Sequence, residues 1–305
     1  MGKKYQGIEG LSIVVTNLCK KCQTCQLLMD KPSIVAMFVK LCIYGRNRAS
    51  IGYMNSNLLV MNTDKTKLLI LDTKAKHLRN DDYGITLNTG SEVISPENCG
   101  KMLGGLISND LCWNSHIRDD ENSLFRQVMS RVNALNKVSS YSSFKTRKMI
   151  ANGIVMSKMI YLIQLWGGCS KYLIICLQSL QNRAARIVTR KDWFTSVKTL
   201  LLQCGWLSVN QLVVYHSLIL VYQVKTSRKP FYFRYKLNTQ FNRETRLAAS
   251  DGIRIMERNR LSLTKSGFRV RASAQWNALP IDVRQSKNIF SFNRNLKAKN
   301  VSLYP

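Results

Sequence analysis

The sequence predicts an α+β fold: a small β-rich part, then a mainly helical bundle, then a mixed and strongly basic C-terminal region. Three observations predict it. Between residues 50 and 112, short apolar runs such as Leu68-Leu69-Ile70-Leu71 follow polar turns such as "NTDKT". Between 113 and 224, apolar residues recur at three- and four-residue steps. Beyond 225, Phe268, Val270 and Ala272 alternate with Arg269 and Arg271, which reads as a strand with two guanidiniums on one face. The expected divisions are a lead segment at 1–49, a β-rich part at 50–112, a helical region at 113–198 and a basic region at 199–305.

The lead segment has no clear period. Its "CKKCQTC" places Cys19, Cys22 and Cys25 at zinc-like spacing. A structural zinc site needs four ligands, and the next candidates are Cys42 and the distant His77, so free thiols are expected and no metal. Nine cysteines without a secretory signal suit reduced thiols in a cytoplasmic or nuclear protein. Gly2 stands where a myristoyl chain is attached, but Gln6 replaces the Ser or Thr that attachment wants.

In the β-rich part, "YMNSNLLVMN" reads as a short helix with Met54, Leu58 and Met61 on one face. "GITLNTGSEVI" reads as a hairpin: Ile85 and Leu87 lead in, residues 88–91 turn, and Val93 starts the return. "KMLGGLISNDLCWNSHI" (101–117) reads as an apolar strand carrying Gly104 and Gly105 and breaking at Asn109-Asp110. Glycine inside a strand marks a bulge or a close approach by another backbone.

The helical region starts with a stripe of Leu124, Val128, Val132, Leu135 and Val138. Met149, Ile150 and Ile154 belong to a second helix. A third, "KYLIICLQSLQNRAARIVTR", carries Leu173, Leu177, Leu180, Ala184 and Ile187 on one face. Arg183, Arg186 and Arg190 sit at i, i+3 and i+7 on another ridge, with Asp192 the acid close by. Like charges repel unless something neutralises them, so the ridge reads as phosphate-facing. The long uncharged run from Thr199 to Val224 contains Gln203, Asn210, Gln211, His216 and Gln223, and reads as a buried helix, not a membrane span. Trp276 and Leu279, before Pro280, read as a packed core corner.

Charge sets the class of partner. The chain carries 46 Lys+Arg against 17 Asp+Glu, a net +29 over 305 residues. The excess rises along the chain: net +5 for 1–112, +10 for 113–224 and +14 for 225–305. Such a chain repels itself unless it meets a polyanion, and nucleic acid is expected ahead of an anionic membrane. At 45% hydrophobic residues it is no disordered tail.

Several stretches together resemble a known family. "YMNSNLLVMNTDKTKLLIL", "KMLGGLISNDLCWNSHI", "LQSLQNRAARIVTR", "LLLQCGWLSVNQLVVYHSLILVYQV" and "FRVRASAQWNALPIDVRQSKNIFSFNRNLK" follow one another as landmarks do in reverse transcriptases of LINE-type, non-LTR retrotransposons. The resemblance covers about residues 50–300 and implies the end of the palm, the thumb and the C-terminal region of such an enzyme. It makes Leu103, Gly104 and Gly105 the primer grip and the helices after them the thumb. It makes Lys65 a proton donor to the leaving pyrophosphate; as a residue, Lys65 reads equally as a solvated turn lysine. An intact relative would need Mg²⁺, held by carboxylates on neighbouring strands. Upstream of Asn62 this chain has only Glu9 and Asp30, and Asp81-Asp82 and Asp119-Asp120 read as polar turns.

The expected function is therefore a truncated, reverse transcriptase-like chain. It would bind RNA or an RNA–DNA hybrid, with no membrane partner and no bound cofactor. Candidate nucleic-acid-binding residues are Leu103, Gly104, Gly105, Arg183, Arg186, Arg190, Arg269 and Arg271. The alternative is a nonenzymatic protein-interaction chain or an unselected remnant of the element.

Overall fold

The computed structural model describes residues 66–70, 86–88, 93–227, 251–253 and 265–303, with further positions at 13–15, 56 and 237. Lys65, the "CKKCQTC" cysteines, Asp81-Asp82 and all of the expected helix around Met54–Met61 except Ser56 lie outside them. The chain forms two compact units, Met1–Asp119 and Asp120–Pro305.

Among the described residues, the first unit holds three two-stranded sheets. Strands β1 (Ile13–Val15) and β2 (Leu68–Ile70) pair in parallel, so the lead segment contributes a strand that its sequence does not announce. Strands β3 (Leu87–Asn88) and β4 (Val93–Ile94) pair antiparallel, Leu87 opposite Ile94, as the expected hairpin requires. Strands β5 (Cys99–Met102) and β6 (Gly105–Ser108) form the third pair.

That last hairpin corrects the reading of Gly104. Met102 pairs with Gly105, leaving Leu103-Gly104 as a two-residue turn. Their φ values are 48° and 77°. Positive φ at both central residues is the pattern of a type I′ turn, whose twist matches that of the strands it joins. The glycine serves the turn and not a bulge. His116, in a single π-helical turn at Ser115–Asp119, accepts the Leu106 amide at Nδ1 (3.3 Å) and packs edge-on against Trp113. The Trp and His after the hairpin thus brace it.

The second unit is helical throughout its named elements: α1 (Leu124–Ser139), α2 (Phe144–Ala151), α3 (Ser157–Ile160), α4 (Ile163–Trp166), α5 (Lys171–Thr189), α6 (Val197–Cys204), α7 (Val209–Ser227), α8 (Phe268–Asn277), α9 (Ile281–Arg284) and α10 (Ile289–Leu303). Helix α1 buries Leu124, Val128, Val132 and Leu135 against α5, which buries Leu173, Leu177, Leu180 and Ala184. Val138, at the end of the α1 stripe, is half exposed. Helix α2 departs from expectation. Met149 is exposed, and the inward positions are Arg147, Ala151, Val155 and Met159, running through a π-helical turn at Asn152–Met156.

Ser143 and Ser196 cap α2 and α6, accepting the amides of Thr146 and Thr199. Gly205, at φ 65°, ends α6: its amide bonds Leu202 O, and the Trp206 amide reaches back to Leu201 O, the paired bonds of a Schellman motif. This break cuts the uncharged run into α6 and α7, bent by 43°. Among the described residues no single helix is long and apolar enough to cross a membrane.

The expected strand at 268–272 is helix α8. Its buried residues are Ala272, Ser273 and Trp276, which is helical spacing, and Arg and Ala are good helix formers. A five-residue alternation is too short to fix the period. Trp276 is fully buried, donates from Nε1 to Asp251 O (2.9 Å), and stacks with Phe292 of α10, which in turn stacks on Tyr222 of α7 at 4.3 Å. Asn277 trades two hydrogen bonds with the Ile253 backbone. The Trp-Asn-x-Leu-Pro stretch is therefore the packed corner that its residues predict.

Candidate nucleic-acid interface

Each candidate residue has a place. Leu103 lies at the tip of the β5–β6 hairpin, 81% exposed, with Gly104 beside it and Gly105 opening β6. A bulky residue at positive φ is strained, and an exposed leucine at such a tip gains no burial in return.

The three arginines of α5 do not form one free ridge. Arg183 is exposed and brings Nη1 to 3.2 Å from the Met129 sulfur of α1. Arg186 is half-buried, its guanidinium 4.5 Å from the centre of the Trp193 ring. Arg190 lies beyond the last turn in a left-handed conformation (φ 52°), and its Nη2 donates to Ser139 O (2.6 Å) and Ser140 O (2.9 Å). The last carbonyls of a helix lack intrahelical donors, and Arg190 supplies one to the end of α1. The i, i+3, i+7 spacing holds only for a helix that continues through residue 190, and this one ends before it.

Arg269 and Arg271 do not share a face, because residues two apart on a helix point in different directions. Arg269 is half-buried. Arg271 turns inward: Nη2 donates to Gln164 O (2.9 Å), Nη1 lies over Gly167, and Nε and Nη1 are sealed from solvent without a hydrogen-bond partner. Burial pushes its guanidinium pKa down, with the nearby Cys169 opposing. Arg271 packs α8 onto the turn after α4 and does not offer itself to a phosphate.

The structure adds residues that spacing did not single out. The outer side of α1 carries a groove of about 530 Å³ lined by Phe125, Arg126, Met129, Ser130, Asn133, Ala134 and Lys137. Arg126 and Lys137 are exposed, and Arg183 joins them at the groove's edge through Met129. Cations and amide or hydroxyl donors alternate there with apolar floor atoms, which suits a phosphate backbone. The signal was in the sequence: Arg126, Ser130, Asn133 and Lys137 step by 4, 3 and 4, opposite the apolar stripe.

The described carboxylates do not build a metal site. The Asp110 carboxylate accepts the Ser108 hydroxyl (2.6 Å) and the Cys112 amide (3.0 Å). Partial burial pushes its pKa up, but these bonds hold it below the usual carboxylate value. Asp120 accepts the Asn122 amide. Both close turns. Among the described residues no three His, Cys, Asp or Glu side chains gather to hold a metal ion.

Comparison with known proteins gives an informative likeness. The probable RNA-directed DNA polymerase from transposon X-element of Drosophila melanogaster is 30% identical over 110 residues. The similarity marks a reverse transcriptase-like region. It covers 36% of this chain and 12% of that polymerase, so the chain corresponds to a small part of its relative's length. No family model matches the chain, and no solved structure does.

Proposed function

We propose that this chain is the template-primer-binding, C-terminal part of a LINE-type reverse transcriptase, and that it holds nucleic acid without extending it. The observation that carries this reading is the 30% identity to the X-element polymerase. It falls on a chain whose second unit has 31 Lys+Arg against 7 Asp+Glu. The β5–β6 hairpin takes the role of primer grip, with Leu103 and Gly104 against the primer backbone. The helical unit takes the role of thumb, its α1 groove following the phosphates through Arg126, Lys137 and Arg183. Recognition of this kind is electrostatic and nearly indifferent to sequence. Lys65 keeps its proposed role beside the active site of an intact enzyme.

Synthesis needs two metal ions held by clustered carboxylates. Residues 1–61 of this chain offer Glu9 and Asp30 alone. The purified chain should retain a labelled RNA–DNA hybrid of arbitrary sequence. It should add no nucleotide to an annealed primer with dNTPs and Mg²⁺ or Mn²⁺. Primer extension above the no-protein level would defeat the second half of the reading, and failure to retain the hybrid would defeat the first.

A further inference from the structure

We propose that one end of the helical unit is a stacking platform for the unpaired bases of a single-stranded nucleic acid, built from Tyr141, Trp193 and Phe194 beside Arg186, Arg190 and Lys191. The inference deepens the proposed function and rests on it: it names the form of nucleic acid that this end takes.

The three aromatics are 91%, 77% and 96% exposed. Single exposed apolar residues are ordinary, but three rings on two joined loops are not scattered. Tyr141 lies in the α1–α2 loop, and Trp193 and Phe194 in the α5–α6 loop. Arg190 ties these loops together by donating to Ser139 O and Ser140 O. Arg147 ties them again from below, donating from Nε to Val188 O at the end of α5 and from Nη1 to Ser142 O in the other loop. The rings therefore sit on a fixed base, which lowers the ordering cost of binding.

Arg186 identifies the ligand's chemistry. Its guanidinium lies over the Trp193 ring, 4.5 Å from the ring centre, and its buried Nε has no hydrogen-bond partner. A guanidinium on an indole is a flat, cationic surface of the kind that nucleobases join. Between residues 183 and 198 there are five Lys or Arg and a lone acid, Asp192, a charge balance that suits phosphates. Aromatic faces are useful only where bases are not already stacked in a duplex, hence a single strand. The position fits as well: Lys137, at the end of the α1 groove, lies one turn before the tip, so a strand leaving the groove would cross these rings. A second copy of the chain is disfavoured as occupant, because it would bring the same cations to the interface.

The test uses the full chain with a fluorescein-labelled oligouridylate and an RNA–DNA hybrid of equal length. Two variants are compared, Trp193→Ala/Phe194→Ala and Trp193→Tyr/Phe194→Tyr. The alanine pair should bind the oligouridylate about tenfold or more weakly, since each stacked base contributes a large share of single-strand affinity. Hybrid binding should change by less than about twofold, far-ultraviolet circular dichroism should be unchanged, and the tyrosine pair should restore most of the loss. If the alanine pair binds the oligouridylate as the parent does while the parent still binds hybrid, the platform is refuted and the proposed function stands. If the parent binds neither, both fail. The platform is likewise overturned if the alanine pair loses only binding to phosphatidylserine vesicles, or only a dimer seen in sedimentation.

Discussion

Arg147 donates from Nε to the carbonyl oxygen of Val188 at 2.9 Å, so a buried cation of one helix closes the end of another. The arginine is 5% exposed, and the oxygens it meets, Val188 O and Ser142 O, are backbone carbonyls. In this unit, rich in Lys and Arg, helix ends supply part of the negative potential that a buried guanidinium needs.

Replacing Arg147 with leucine should therefore destabilise the second unit. The cost is about 2–4 kcal/mol, from two carbonyls left without donors and imperfect filling of the space. Thermal unfolding should show a midpoint lower by on the order of 10 °C. Arg147→Lys should not restore it, because one ammonium on a flexible stem cannot span two carbonyls as the planar fork does.

Gly168 faces a different constraint. A Cβ built on it would lie 2.2 Å from Ser266 O, a backbone atom that cannot rotate away. Gly153, by contrast, has nothing within 4 Å of that position and lies on a helical surface. Gly168→Ala should lower the melting temperature by several degrees. Gly153→Ala should raise it slightly, by about 0.5–1 kcal/mol of added stability. Equal effects from the two would mean that the Ser266 backbone, just before α8, does not press on the α4–α5 turn.

His216 provides a pH signature. Burial pushes its pKa below the usual 6.5. The unfolded chain therefore takes up a proton that the folded chain resists. Stability from this group is complete above about pH 6.5 and is lost as pH falls towards the lowered folded value. The melting temperature should decline on acidification below pH 6.5, and His216→Gln should flatten that part of the curve. An unchanged curve would place the titration elsewhere.

Long periodic segments were legible in the sequence and short ones were not. Leu124 to Leu135 and Leu173 to Ala184 repeat often enough to fix helix, face and partner. Phe268 to Ala272 alternates over five residues only, and tertiary packing of Trp276 decided for helix. Gly104 looked like a strand glycine because a type I′ turn needs only two residues and leaves no polar cluster to announce it. Among the candidate residues, the exposed position of Arg183 was legible, since exposure on a helix depends only on phase. Arg190 and Arg271 were not, because the carbonyls they satisfy belong to segments far away in the chain. The pairing of Ile13–Val15 with Leu68–Ile70 is equally non-local, and no periodicity in the first segment foretells it.

The most direct measurement is the salt dependence of binding to an RNA–DNA hybrid, for the parent chain and for Arg126→Gln/Lys137→Gln/Arg183→Gln. All three side chains are exposed, Arg126 and Lys137 lining the α1 groove and Arg183 touching Met129 of its lining, so folding should be unaffected. Removing one cation that neutralises a phosphate flattens the slope of log affinity against log salt by about 0.7–0.9. The triple variant should therefore bind more weakly at low salt on every sequence tried, with a slope shallower by about 2–3. The same affinity and slope in parent and variant would contradict the account, since the α1 groove would then carry no phosphate.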